Sequence, residues 1–142
     1  MPWADARLGA ERLAGAYAWR SLLATGAIIA GGSDFPVEDA NPFLGLHAAI
    51  TRRPLGGGPG DFSPEQRMTR DEAVRSFTVW NAFAARQERE LGSLEPGKRA
   101  DFIILDRDVL TCPLDDMKDT QVRETWLDGR RVWEASEATR RH

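Results

Sequence analysis

Apolar positions recur at helical spacing between residues 10 and 25, where Leu13, Ala16, Tyr17, Leu23 and Ala24 share one side and Gly26 stands at the C-terminal cap. The spacing predicts a helix over 10–25. The following run, AIIAGGSDF, is apolar without alternation, the pattern of a strand buried on both faces of a parallel sheet, and predicts a strand over 27–33. It ends in Gly31, Gly32, Ser33 and Asp34, so small and acidic residues arrive at the C-terminal end of that strand, where parallel α/β folds place their chemistry. After the loop FPVEDAN, Asn41 is suited to cap a helix that Pro42 opens, with Phe43, Leu46 and Ile50 on one face. That helix is expected over 42–52. The stretch PLGGGPGDFSPEQ is dense in glycine and proline and predicts a loop. Thr69 and Glu72 then form a capping-box pattern opening a helix expected to reach about Arg89, with Val74, Phe77, Asn81 and Ala84 or Ala85 on one face.

From Leu91 the helical stripe disappears. LGSLEPGKRADFIILD sets turn residues before an apolar β-type run, and β-structure is expected after residue 99. The Asp128-Gly129 pair between TWL and RRVW signals a hairpin with a type I′ turn. The tail after Glu134 is polar and expected to fray. The pattern divides the chain into residues 1–90 and residues 91–142.

Composition narrows the function classes more than the fold. The 142 residues carry 42% hydrophobic and 29% charged side chains, as in one ordinary globular domain, and a formal net charge of -3. That balance gives no general attraction to nucleic acid or to an anionic membrane, so neither is an expected partner. No apolar run approaches the length of a transmembrane helix, and the start MPWADARLGAER is too polar for a signal peptide. A single cysteine, Cys112, forms no intramolecular disulfide, and a cytoplasmic location is the expectation. An apparent helix entry follows Met1 so closely that Met1 reads as an internal methionine of a longer protein.

Two motifs carry the chemistry. GSDFPVE and LGSLEPGKRADFIILD, about sixty residues apart with helices between them, make the chain resemble the amidohydrolase superfamily, specifically its amidohydrolase 3 branch. The resemblance implies that GSD ends the eighth strand of a (β/α)8 barrel and that residues 92–106 lead back into a small β-sandwich. The implied fold is thus the C-terminal part of a barrel over 1–90, followed by sandwich strands over 91–142. The implied reaction is hydrolysis of a carbon-nitrogen bond in a small-molecule, amide-type substrate by a metal-activated water, with zinc the expected ion. Asp34 matches the family's strand-eight aspartate, and the resemblance implies that it is both catalytic proton shuttle and metal ligand. The histidine ligands of the family have no counterpart here, because His47 falls within a predicted helix and His142 at the chain end. The chain alone is therefore expected to bind metal weakly, to be inactive, and to self-associate through the edges of an unfinished barrel.

Simpler assignments stand beside these. On residues alone Asp34 can be a turn or helix-capping aspartate. The other candidates read as structural: His47 shares a helix side with Phe43 and Ile50, Cys112 has no basic cluster near it in sequence, and the tryptophans are spread over different elements. GGGPG lacks the lysine and Ser/Thr of a phosphate-binding loop. A non-catalytic, self-associating module is the alternative to a hydrolase.

Overall fold

A computed structural model describes residues 6–55 and 62–136. Short helices come first, among them α1 (Ala10–Leu13), α2 (Trp19–Ala24), α3 (Pro42–Thr51), α4 (Arg70–Ser76) and α5 (Val79–Ala84). Strands β1 (Phe102–Leu105), β2 (Val122–Leu127) and β3 (Arg130–Glu134) follow, with 3-10 segments at Pro64–Gln66 and Leu114–Asp119. The three strands form one antiparallel sheet in the order β1-β2-β3.

Where local chemistry was strong, the elements form as expected. The Asn41 side chain accepts from the Phe43 N–H at 3.0 Å, Pro42 occupies the first turn of α3, and Arg52 closes the helix in the left-handed region at φ 59°. Thr69 accepts from the Glu72 N–H at 3.2 Å, and Glu72 accepts from the Thr69 N–H at 2.7 Å, which completes the capping box of α4. The hairpin turns at Asp128 (φ 51°) and Gly129 (φ 72°), both positive as a type I′ turn requires. Phe102 and Trp126, paired in register across β1 and β2, stack with ring centroids 5.4 Å apart.

Three expectations need correction. The helix expected over 10–25 breaks between α1 and α2, where Tyr17 is left-handed at φ 54°. Its carbonyl is drawn out of any helical ladder by Arg52 Nη1 at 3.1 Å, and its ring sits edge-on against Phe62. The helix expected over 70–89 splits into α4 and α5 at Phe77 and Thr78. There the Ser76 carbonyl accepts from Gly31 N–H, while the Ser76 and Thr78 hydroxyls bond back to Ala73 and Val74 carbonyls at 2.7 and 2.8 Å. The buried strand expected over 27–33 is a largely exposed segment without regular secondary structure. Strand pairing needs a neighbouring strand, and among the described residues none pairs with this segment.

The core gathers Phe43, Leu46, Ala49 and Ile50 of α3 with Met68, Ala73 of α4 and Met117 of the second 3-10 segment. Arg52, only 6% exposed, lies with its guanidinium 4.3 Å from the Trp19 ring centroid and 5.1 Å from that of Phe62. A buried cation between two rings is a local keystone for the α2–α3 junction. Trp3, the GGGPG loop and the tail beyond Ser136 lie outside the described residues.

Candidate active-site segment

The segment from Gly31 to Asp34 is held by the α4–α5 corner. Gly31 N–H donates to the Ser76 carbonyl at 2.8 Å, and the Gly31 carbonyl accepts from Asn81 Nδ2 at 3.0 Å. A Cβ at residue 31 would stand 2.9 Å from Ser76 Oγ and 3.0 Å from the Phe77 ring, so only glycine fits this approach. The other end of that ring points at α3, where a Cβ on Gly45 would meet Phe77 Cζ at 2.7 Å. Phe77 is thus seated between two glycines and keys α3, α4 and the 31–34 segment together.

Beyond the clamp the chain turns sharply. Asp34 is left-handed at φ 52°, its carbonyl accepts from Val37 N–H at 2.9 Å, and Ser33 accepts from Glu38 N–H at 3.2 Å. The cis Phe35–Pro36 bond lies inside this turn, which makes it type VI. The Asp34 side chain is exposed, on a segment clamped to the helices at Gly31 and turned sharply at Asp34. That arrangement suits a carboxylate that meets a reactant, accepts a proton and gives it back.

The described residues do not make a metal site by themselves. Among the described residues no three His, Cys, Asp or Glu side chains form a group that could hold an ion. His47 is buried in α3 at 3% exposure, and Thr51 Oγ1 lies 3.5 Å from its Nδ1. Burial pushes its pKa down; Lys118 and Arg53 push the same way and Asp115 and Asp119 oppose them, so it faces the 114–119 segment. A structural histidine is what the sequence suggested. His142 lies outside the described residues.

Two neighbours were invisible in the sequence. Cys112 does have a basic partner, since Arg70 Nη1 lies 3.8 Å from its Sγ while the same guanidinium donates to the Val109 and Cys112 carbonyls. Asn81 was visible as a residue on a helix face, but nothing marked its bond to a glycine 50 positions away. A groove of about 680 Å³ also runs between α4–α5 and β1, with Phe77, Asn81, Leu91, Leu94 and Phe102 in its walls.

The second motif is explained by its turns. Gly92 (φ 90°) packs against α5, where a Cβ would meet Ala82 Cβ at 2.8 Å, and Gly97 (φ 93°) lets Lys98 fold back to Ser93 Oγ at 2.7 Å. The family model described as amidohydrolase family matches residues 1–133. The chain belongs to the amidohydrolase family.

Among amidohydrolase relatives, the putative amidohydrolase YtcJ of Bacillus subtilis (strain 168) is 31% identical over 137 residues, which is 95% of this chain and 26% of that protein. The N-substituted formamide deformylase of Arthrobacter pascens is 36% identical over 110 residues, covering 78% of this chain and 20% of the deformylase. An amidohydrolase from Thermotoga maritima MSB8 has a similar fold, with a TM-score of 0.63 at 22% identity over 84% of this chain and 26% of that structure. This amidohydrolase chain therefore spans about a quarter or less of the length of these proteins.

Proposed function

We propose that the chain is the C-terminal portion of a (β/α)8 amidohydrolase barrel with the first strands of its β-sandwich, and that the whole protein hydrolyses a carbon-nitrogen bond other than a peptide bond. A divalent metal, with zinc the expected ion, would be held mainly by ligands other than the described residues, to which Asp34 would add a carboxylate. In this reading Asp34 takes the proton of the attacking water and returns it to the leaving nitrogen, so that the C–N bond breaks with an amine as product. The observation that carries the reading is the exposed Asp34 carboxylate, three positions beyond a glycine clamped to the α4–α5 corner. An N-substituted formamide is the first substrate to assay, because one relative is named a deformylase of such compounds. Cytoplasmic location belongs to the same reading; no described helix is long and apolar enough to cross a membrane.

The test is Asp34→Asn in the intact protein. Asn keeps the size and an oxygen, and loses the charge and the proton-accepting capacity. Turnover is expected to fall roughly 100- to 10,000-fold with the fold retained. Near-normal turnover would reduce Asp34 to a turn residue. The 142-residue chain alone is expected to show no hydrolysis and to keep far less than one zinc ion per chain after dialysis, since three convergent ligands are the usual minimum.

A second reading, a non-catalytic module that self-associates, is favoured by one observation: Phe35, Val37, Phe83 and Leu94 are all more than half exposed. Turnover by the intact protein that Asp34→Asn abolishes would exclude it.

A further inference from the structure

In a sheet, the N–H and C=O of Gly31 would both go to a neighbouring strand. Here Ser76 O accepts from the N–H and Asn81 Nδ2 donates to the C=O, at 2.8 and 3.0 Å. The Ser76 contact is backbone and survives substitution; the Asn81 contact depends on one carboxamide. Among the described residues it is the one side-chain hydrogen bond onto the backbone of residues 27–34. Downstream, the turn bonds at Ser33 and Asp34 are local and move with the segment, so they do not anchor it to the helices. Asp34 lies three positions beyond the Asn81 anchor at Gly31, and rotation of the Gly31–Gly32 peptide would swing the carboxylate. Two successive glycines resist that rotation least of all residues.

We infer that Asn81 is a positioning residue for Asp34: its carboxamide fixes the Gly31 carbonyl and thereby the direction in which the Asp34 carboxylate is presented. This rests on the reading of Asp34 as the proton shuttle. A misplacement of about 1 Å at a reacting group costs up to roughly 100-fold in rate.

The experiment compares Asn81→Leu, Asn81→Gln and Asp34→Asn in the intact protein by steady-state kinetics and by hydrogen exchange of peptides covering 27–38 and α3. For Asn81→Leu the expected result is kcat lowered about 10- to 100-fold with KM changed less than about twofold. Exchange over 27–38 should quicken while α3 keeps its protection, and Asn81→Gln, which retains a donor, should fall between Leu and the unchanged protein in both measurements. Unchanged exchange over 27–38, or quickened exchange with unchanged kcat, overturns the inference. So does an equal loss of protection in α3, which would mean general destabilisation. Should Asn81→Leu fail to fold, Asn81→Ser, whose hydroxyl is too short to reach Gly31, takes its place with the same outcomes. Full turnover by Asp34→Asn would overturn the reading of Asp34 itself, and the exchange data would still decide whether Asn81 anchors the segment.

Discussion

Glu72 does two things with one carboxylate. It closes the capping box with Thr69 and forms a paired contact with Arg20, Oε1 to Nη1 at 2.7 Å and Oε2 to Nη2 at 2.5 Å, while Arg20 also reaches the Arg67 carbonyl. The hydrogen bonds from Arg20, and after them those from Thr69, hold its pKa at about 2 against an ordinary 4.5. A carboxyl lowered in the folded state stabilises the fold above the ordinary pKa, and that stability is lost as the pH falls from about 4.5 toward 2. Because the Arg20 side chain is 38% exposed, the pair is screened and its worth is about 1 kcal/mol. Glu72→Ala should therefore lower stability at neutral pH by about 1–2 kcal/mol, cap and pair together, and the deficit should shrink below about pH 3. Urea titrations at the two pH values check this; a deficit independent of pH would mean that packing, not charge, is lost. His47 acts in another window. Its pKa is lowered from 6.5, chiefly by burial, so stability is full above that value and falls as the pH drops below it, where the unfolded chain takes the proton more readily. Replacement His47→Gln should reduce the difference in Tm between about pH 7.5 and about pH 5, a range above the Glu72 window. An unchanged difference would show that other groups set the acid sensitivity.

At the scale of elements, the sequence told most where the signal is local. The Asn41 cap, the Thr69–Glu72 box and the Asp128-Gly129 turn depend on residues within three positions of one another, and each is present in the fold. Helix continuity was misread wherever a carbonyl is claimed from afar, by Arg52 at Tyr17 and by Gly31 at Ser76, because such partners are 35 and 45 residues away. The strand over 27–33 was misread for the opposite reason: its apolar composition is real, but pairing is a property of neighbours and not of the run itself. Asp34 could be picked out from its motif, whereas the Asn81 anchor behind it could not. The hairpin gives a clean quantitative check. Gly129 stands at φ 72°, and a Cβ there would meet only Ala100 Cβ at an ordinary 3.8 Å. Gly129→Ala should then cost only the left-handed backbone preference, about 1–2 kcal/mol, measured by chemical denaturation. A larger loss would mean that the bond from Gly129 N–H to the Ala100 carbonyl, which ties the turn to the chain before β1, is broken as well.

For the molecule as a whole, the balance between buried and exposed apolar groups sets the expectation. Among the described residues nine hydrophobic side chains are buried and four of them are alanines, while fifteen large hydrophobics are exposed. Alanine burial contributes little area, so the core around α3 and Met117 is small for a chain of this length. The exposed set is not scattered evenly: Ile28, Phe35 and Val37 lie along or next to the unpaired segment 27–34, and Ile103 and Ile104 lie in β1, an edge strand of the sheet. Unpaired backbone flanked by apolar side chains is the surface on which chains add to one another. The 142-residue chain alone should therefore self-associate at about 10–100 µM, the range in which exposed apolar surface promotes association. Light scattering should show a mass above the 15.8 kDa of one chain. Charged replacements at two exposed positions outside the core, Val37→Lys and Ile103→Lys, should lower the association without lowering helix content. A well-folded monomer throughout that range would sink the expectation, because it would mean that the exposed apolar residues need no cover.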